Sequence, residues 1–132
     1  MAVTNLHVQT SRRDEFLDLT RKVQAAVAAS GTREGLCLVF VPHTTAGVTI
    51  NEHADADVAW DILDSLNRQI PWRDNYRHGE GNSAAHIKAS LMGSSVAIPI
   101  QEGRLALGTW QGIFLAEFDG PRSRKVLVTI QA

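Results

Sequence analysis

An α+β fold is the architecture this 132-residue sequence predicts. Up to Gly93, apolar residues at helical spacing alternate with strand-like runs. Beyond Gly93, four strand-like segments follow one another with no helical segment between them. A doubly wound α/β sheet needs a crossover, usually a helix, between successive parallel strands, so an unbroken run of strands points away from it. The length is that of one domain, spanning 1–132, and suffices to bury a core without disulfides or metal staples. With 44% hydrophobic and 20% charged residues, the composition is that of an ordinary folded domain.

The elements follow in order. Residues 3–9 alternate weakly between apolar and polar, as a half-buried strand does. Ser11-Arg12-Arg13-Asp14 reads as a helix start, with Ser11 as N-cap and Asp14 near the positive end of the helix dipole. Phe16, Leu19, Val23, Ala26 and Val27 continue at helical spacing, and Gly31 is a natural stop. Residues 36–41 form a continuous β-type run expected to be a central strand, with Cys37 as a small buried hydrophobe. Val48-Thr49-Ile50 reads as a short strand. Asp55 can cap a second helix with Val58, Ile62, Leu63 and Leu66 on its apolar face and Asp57, Asp61 and Asp64 on the other side. Residues 71–82 form a long polar connection, a length that in small domains usually serves function. Ser83 can cap a third, short helix ending at Gly93, with Ile87 and Leu91 packed inward and His86 and Ser90 on another face. Strands are expected at 95–100, 104–107, 113–118 and 126–130, punctuated by Gly103, Gly108, Gly112 and Gly120.

Several functions are disfavoured at once. A net charge of −1 offers no electrostatic footprint for nucleic acid, and Arg122, Arg124 and Lys125 read as a solvated strand edge. No apolar run is long enough to span a bilayer, and the N-terminus lacks a secretory core, so a soluble cytoplasmic protein is expected. A single cysteine excludes an internal disulfide and a Cys-based zinc cluster. The sequence contains neither a phosphate-binding P-loop nor a G-x-S-x-G nucleophile elbow.

The chemistry concentrates in polar clusters between apolar runs. Arg77-His78-Gly79-Glu80-Gly81-Asn82-Ser83-Ala84-Ala85-His86 places two of the five histidines and a glutamate around two glycines. A turn built only for connection does not need imidazoles and a carboxylate at that density, while glycine lets backbone approach a ligand closely. His43, in Pro42-His43-Thr44-Thr45, follows the central strand and is expected at a sheet edge facing a cleft; a hydrogen-bonded structural histidine is its blander reading. His86 at a helix start puts an imidazole beside helix-terminal N–H groups, a setting that favours anions. His43, His78 and His86 could instead hold zinc in an open three-ligand arrangement, although no H-E-x-x-H is present. Asn51, Glu52, Asp55 and Asp57 offer hard oxygens suited to magnesium, or else cap and solvate a helix. Lys88 and Arg104 are candidate anion partners. Gly108-Thr109-Trp110-Gln111-Gly112 reads either as a tight turn with a packed Trp110 or as a platform for a ring-shaped ligand.

Taken together, His43-Thr44-Thr45-Ala46, Asn51-Glu52 with Ala54-Asp55, His78 with Glu80-Gly81, His86-Ile87-Lys88 with Ser90, and Gly108-Thr109-Trp110-Gln111-Gly112-Ile113 resemble the YjbQ family, also described as secondary thiamine-phosphate synthases. The resemblance runs through nearly the whole chain. It implies packed β-sheets with helices on one side, a homotrimer, and a small phosphorylated molecule as partner. It also implies a transferase that joins a pyrimidine diphosphate to a thiazole phosphate and releases pyrophosphate. The matching positions would make His43, Glu52, Asp55, His78, Glu80 and His86 catalytic. Thr45, Asn51, Asn82, Lys88, Gly108 and Thr109 are candidate substrate-binding residues, and the ligand types suit a divalent zinc or magnesium ion as cofactor. His53 departs from the pattern, which has a smaller residue there, commonly Asn. The competing expectations are a metal-dependent hydrolase or lyase with a His-lined zinc site, and a non-catalytic metabolite-binding trimer.

Overall fold

Alternation between inward and outward side chains shapes the larger of two antiparallel sheets. The computed structural model describes residues 2–132. Strands β1 (Ala2–Gln9), β3 (Gly35–Phe40), β5 (Ser95–Gln101), β6 (Arg104–Leu105) and β8 (Ser123–Gln131) pair in the order β1-β8-β3-β5-β6. Every neighbour pair is antiparallel. Strands β2 (Glu15–Asp18), β4 (Ala46–Glu52) and β7 (Gln111–Glu117) form a second sheet, also antiparallel, in the order β2-β7-β4.

The core lies between the sheets. From the large sheet it takes Val8, Cys37, Val39, Ile98, Ile100, Val126, Val128 and Ile130. Val48, Ile113 and Leu115 of the small sheet close it, together with Val23, Ala26 and Val27 of helix α1 (Thr20–Ser30). The small sheet's other face carries Ala116, and beyond its end Phe118, against Ala85 and Ala89 of helix α3 (Ser83–Met92), with Leu63 and Leu66 of helix α2 (Ala56–Gln69) packed alongside. Among the described residues, all three helices thus lie on one side of the large sheet and none covers its outer face. The expectation of an α+β domain with packed sheets and helices on one side is met.

Three local expectations are corrected. The stretch after Ser11 does not begin a helix. Ser11 donates through its N–H and its hydroxyl to Glu15 at 2.9 and 2.6 Å, and the chain then runs as strand β2 against β7. Phe16 packs toward the helices and Leu17 toward the core, the two-residue period of a strand. The helix starts only at Thr20, where Asp18 accepts from the Thr20 N–H at 2.9 Å.

The second correction is the buried face of α3. Ile87 and Leu91 are 39% and 67% exposed, while Ala84, Ala85, Lys88 and Ala89 face inward. The reason is close approach. A Cβ at Gly47 would lie 2.5 Å from the Gly93 carbonyl and 3.2 Å from Met92 Cβ, so only small residues fit where the end of α3 crosses β4. Asn82, rather than Ser83, is the residue preceding the first turn of α3.

The third concerns the run at 36–41. β3 is central, but Cys37 and Val39 are buried while Leu36, Leu38 and Phe40 are 45%, 38% and 38% exposed on the outer face. No helix among the described residues is long and apolar enough to cross a membrane.

Candidate functional site

The His43 loop, the 78–82 loop, the start of α3 and the turn into β8 meet at one end of the small sheet. There they form a cleft of about 460 Å³ to which His43, His78, Glu80, Asn82 and His86 all contribute. His43, Thr44 and His86 also border an adjoining recess of about 350 Å³ that runs along α3 to Ser90.

The floor is fixed by a buried ion pair that the sequence reading missed. Glu117 is fully buried and takes two hydrogen bonds from Arg124, one of them Nε to Oε1 at 2.8 Å. Its carboxylate also accepts from the Thr10 hydroxyl at 2.8 Å and from the N–H groups of Phe118 and Asp119, each at 3.0 Å. Arg124 extends to the Thr45 hydroxyl oxygen at 2.8 Å. The expectation that Arg124 belongs to a solvated strand edge is therefore corrected, since it is only 5% exposed. Its position could have been read from β8, where it shares the inward phase of Val126 and Val128. Thr45 is likewise buried and held in this network.

His43 is bound from the neighbouring strand. Its Nε2 accepts the backbone N–H of Lys125 at 2.9 Å. A backbone N–H can only donate, so Nε2 bears the lone pair and the proton of the neutral ring sits on Nδ1. Burial, reinforced by the charge of Arg124, holds this imidazole below the usual histidine range. His43 thus presents a donor N–H at neutral pH.

The other wall carries His78, Glu80, Asn82 and His86. The rings of His78 and His86 stand edge to face with centroids 5.5 Å apart, and His78 Nε2 lies 4.0 Å from Glu80. Asn82 donates through Nδ2 to Asp119 at 2.9 Å, and Asp119 also pairs with Arg122 at 3.0 Å. Asn82 Oδ1 has no hydrogen-bond partner among the described residues despite its burial. The Asn82 side chain does not cap the first turn of α3, which starts beside it.

Other candidates lie elsewhere. Strand β4 separates Thr45 from Glu52 by about 20 Å at roughly 3.3 Å per residue. Asn51 Oδ1 accepts the Glu52 N–H at 2.7 Å, Glu52 accepts from the Ala54 N–H at 2.9 Å, and Asp55 caps α2 from Asp57 at 2.9 Å. These residues, with Gly108 and Thr109, sit at the far end of the small sheet, so one protomer does not assemble them with the histidines. Lys88 is corrected as a substrate ligand. It is fully buried and bonds Asp14 at 3.1 Å as well as Asn67. Trp110 is not packed in its turn but 62% exposed.

As arranged, the three histidines do not enclose a metal. The Nε2 of His43 is taken by backbone, and no three His, Cys, Asp or Glu side chains among the described residues are grouped to hold an ion.

Comparison with known proteins places this geometry in context. The family model described as "UPF0047 protein YjbQ-like" matches residues 4–132. A UPF0047 protein of Methanocaldococcus jannaschii is 50% identical over 123 residues, covering 93% of this chain and 89% of its own. The UPF0047 protein YugU of Bacillus subtilis is 50% identical over 120 residues, covering 90% and 91%. Among solved structures, an uncharacterized YjbQ/UPF0047 protein of Clostridium acetobutylicum superposes with a TM-score of 0.96 at 56% identity, over 97% of this chain and 99% of its own. A YbjQ-like protein of unknown function from Sulfolobus solfataricus gives 0.94 at 37% identity, over 98% and 95%.

Proposed function

The chain belongs to the YjbQ-like UPF0047 family, and we propose that its histidine cleft binds a small phosphorylated molecule and acts on it as a transferase of thiamine-phosphate synthase type. The observation that carries this reading is the convergence of His43, His78 and His86 on one cleft beside the uncapped start of α3. The arginines contribute less charge than their number suggests, because Arg124 is paired with Glu117 and Arg122 with Asp119. Anion binding then rests on N–H donors: His43 Nδ1, the helix-terminal amides, and the imidazoles of His78 and His86.

In such a transfer the bond between carbon and the diphosphate oxygen breaks, and its electron pair leaves on that oxygen as the nucleophilic ring nitrogen bonds to carbon. His43 would donate a hydrogen bond to the oxygen that gains charge, without needing to ionise. His86 or His78 would deliver or take the proton, and positioned acid–base groups of this kind contribute roughly a hundred- to ten-thousand-fold in rate. A magnesium ion arriving with a diphosphate would neutralise part of its charge, and Glu80, exposed on the rim beside His78, is the carboxylate suited to meet it. The zinc-dependent hydrolase reading would need the side chains of His78 and Glu80, 45% and 74% exposed, to turn inward.

A homotrimer belongs to the same proposal. It is supported by the outer face of the large sheet, where Val3 (56% exposed) and Leu38 both lie opposite Thr129, and Phe40 lies opposite Leu127. Uncovered apolar side chains on adjacent strands are what a protein contact covers.

His86→Ala tests the reading. The variant should keep its melting temperature and oligomeric mass while losing turnover on a diphosphate-bearing substrate by about a hundredfold or more. Unchanged turnover with lowered stability would make His86 a structural residue. Stoichiometric zinc in protein purified without added metal would favour the hydrolase reading instead.

A further inference from the structure

We propose that the cleft at the opposite end of the small sheet is a second ligand site, in which His53 is oriented by Asp18 behind it and which takes a small organic anion with an apolar body. This cleft, of about 650 Å³, opens between α1, β6 and the turn before β7. It shares no lining residue with the histidine cleft about 20 Å away along β4.

Three constraints fix His53. Its backbone N–H donates to the Trp110 carbonyl at 3.0 Å, and its Nδ1 meets Asp18 Oδ2 at 3.0 Å. Its ring lies against the backbone of Gly112, where a Cβ would come within 2.5 Å of the ring atoms. Asp18 is held just as firmly. Its Oδ1 accepts from both the N–H and the hydroxyl of Thr20, at 2.9 and 2.5 Å. Thr20 Oγ1 in turn accepts from the Ile113 N–H at 2.9 Å. Burial opposes ionisation of Asp18, but the Thr20 and His53 bonds outweigh it and hold the carboxyl below its ordinary value. An ionised Asp18 accepts the Nδ1 proton of His53 and leaves its Nε2 with no protein partner among the described residues.

The rest of the cleft defines the ligand. Arg21 and Arg104 line it, and among the described residues neither has a carboxylate within ion-pair distance. Between them lies an apolar wall of Ala25, Ala28, Leu105 and Leu107. Unpaired guanidinium groups select a carboxylate or phosphate, while the wall selects a hydrocarbon or ring attached to it. A hydrogen-bonding group on that body, such as a hydroxyl, would meet His53 Nε2.

Hexanoate is a suitable probe, with acetate lacking the apolar body and hexanol lacking the charge. Titrations of the full chain, followed through the histidine ring resonances, should show hexanoate shifting His53 and binding about tenfold or more tighter than either control. Combined Arg21→Ala and Arg104→Ala substitution should weaken hexanoate by a similar factor with the His86 resonances unchanged. The proposal is overturned if hexanoate leaves His53 unshifted, or if hexanol or acetate binds as well. Equal binding by the doubly substituted protein, or a shift at His86 in place of His53, would overturn it too. The selectivity among the three probes on the unsubstituted chain decides the question even if the double variant fails to fold.

Discussion

At His43 a backbone N–H from the next strand decides the protonation state of a side chain. The donor from Lys125 occupies Nε2, and burial and Arg124 disfavour a second ring proton. The sign of the pH effect follows. An unfolded chain takes up a proton at this histidine near pH 6.5, while the folded chain resists until lower pH. The contribution of His43 to stability is therefore constant above about pH 6.5 and declines as pH falls below it toward the folded value. Long-range proton–nitrogen spectra at pH 7 should show His43 neutral with its proton on Nδ1. A proton on Nε2, or a charged ring at pH 7, would contradict the geometry. The sequence made His78, Glu80 and His86 visible through their density around Gly79 and Gly81. It concealed Arg124, because a charged residue beside Arg122 and Lys125 looks like surface until strand phase assigns it inward.

The elements show which patterns are legible. β1, β3, β5, β7 and β8, the Asp55 cap and α2 all lie where alternation, apolar runs and capping chemistry predict them, because those signals are local. β2 was not legible. Phe16, Leu19 and Val23 fit a helical spacing, and the strand is fixed by pairing with β7, about a hundred positions along the chain. α3 misled for another reason. Its tight packing against Gly47 rewards alanine over isoleucine and leucine, so side-chain size no longer identifies the buried face. The same tight seam encloses Lys88, whose ammonium pairs with Asp14 across α3 and the chain before β2. Lys88→Ala should therefore destabilise the fold by about 3–5 kcal/mol, the scale for removing one partner of a buried pair. Denaturant titration measures it, and ligand affinity of the folded fraction should be unchanged. A loss below about 1 kcal/mol would mean that Arg13, which already bonds the other carboxylate oxygen of Asp14 at 2.8 Å, suffices to hold its charge.

For the whole molecule, the layered arrangement sends its chemistry to two opposite ends of the small sheet and the exposed Val3, Leu36, Leu38 and Phe40 to the outer face of the large one. That division is why the candidate residues were only partly grouped by sequence. Position along the chain puts Glu52 near His43, whereas strand β4 carries them to opposite ends. The continuous apolar run through β3 was legible as a strand, but not the fact that one of its faces lies open in the single chain. Phe40→Glu, placing a charge on that face, should reduce a particle of three chains to one of 14.4 kDa in light scattering. An unsubstituted protein that already runs as a single chain would remove the proposed assembly. The central claim, that the histidine cleft receives a phosphorylated ligand, is tested most directly by titrating the protein with inorganic pyrophosphate and following all five histidine rings. Saturable shifts are expected at His43, His78 and His86, with His7 and His53 unmoved. Rings at 43, 78 and 86 that stay in place under excess pyrophosphate, or a shift confined to His53, would contradict it.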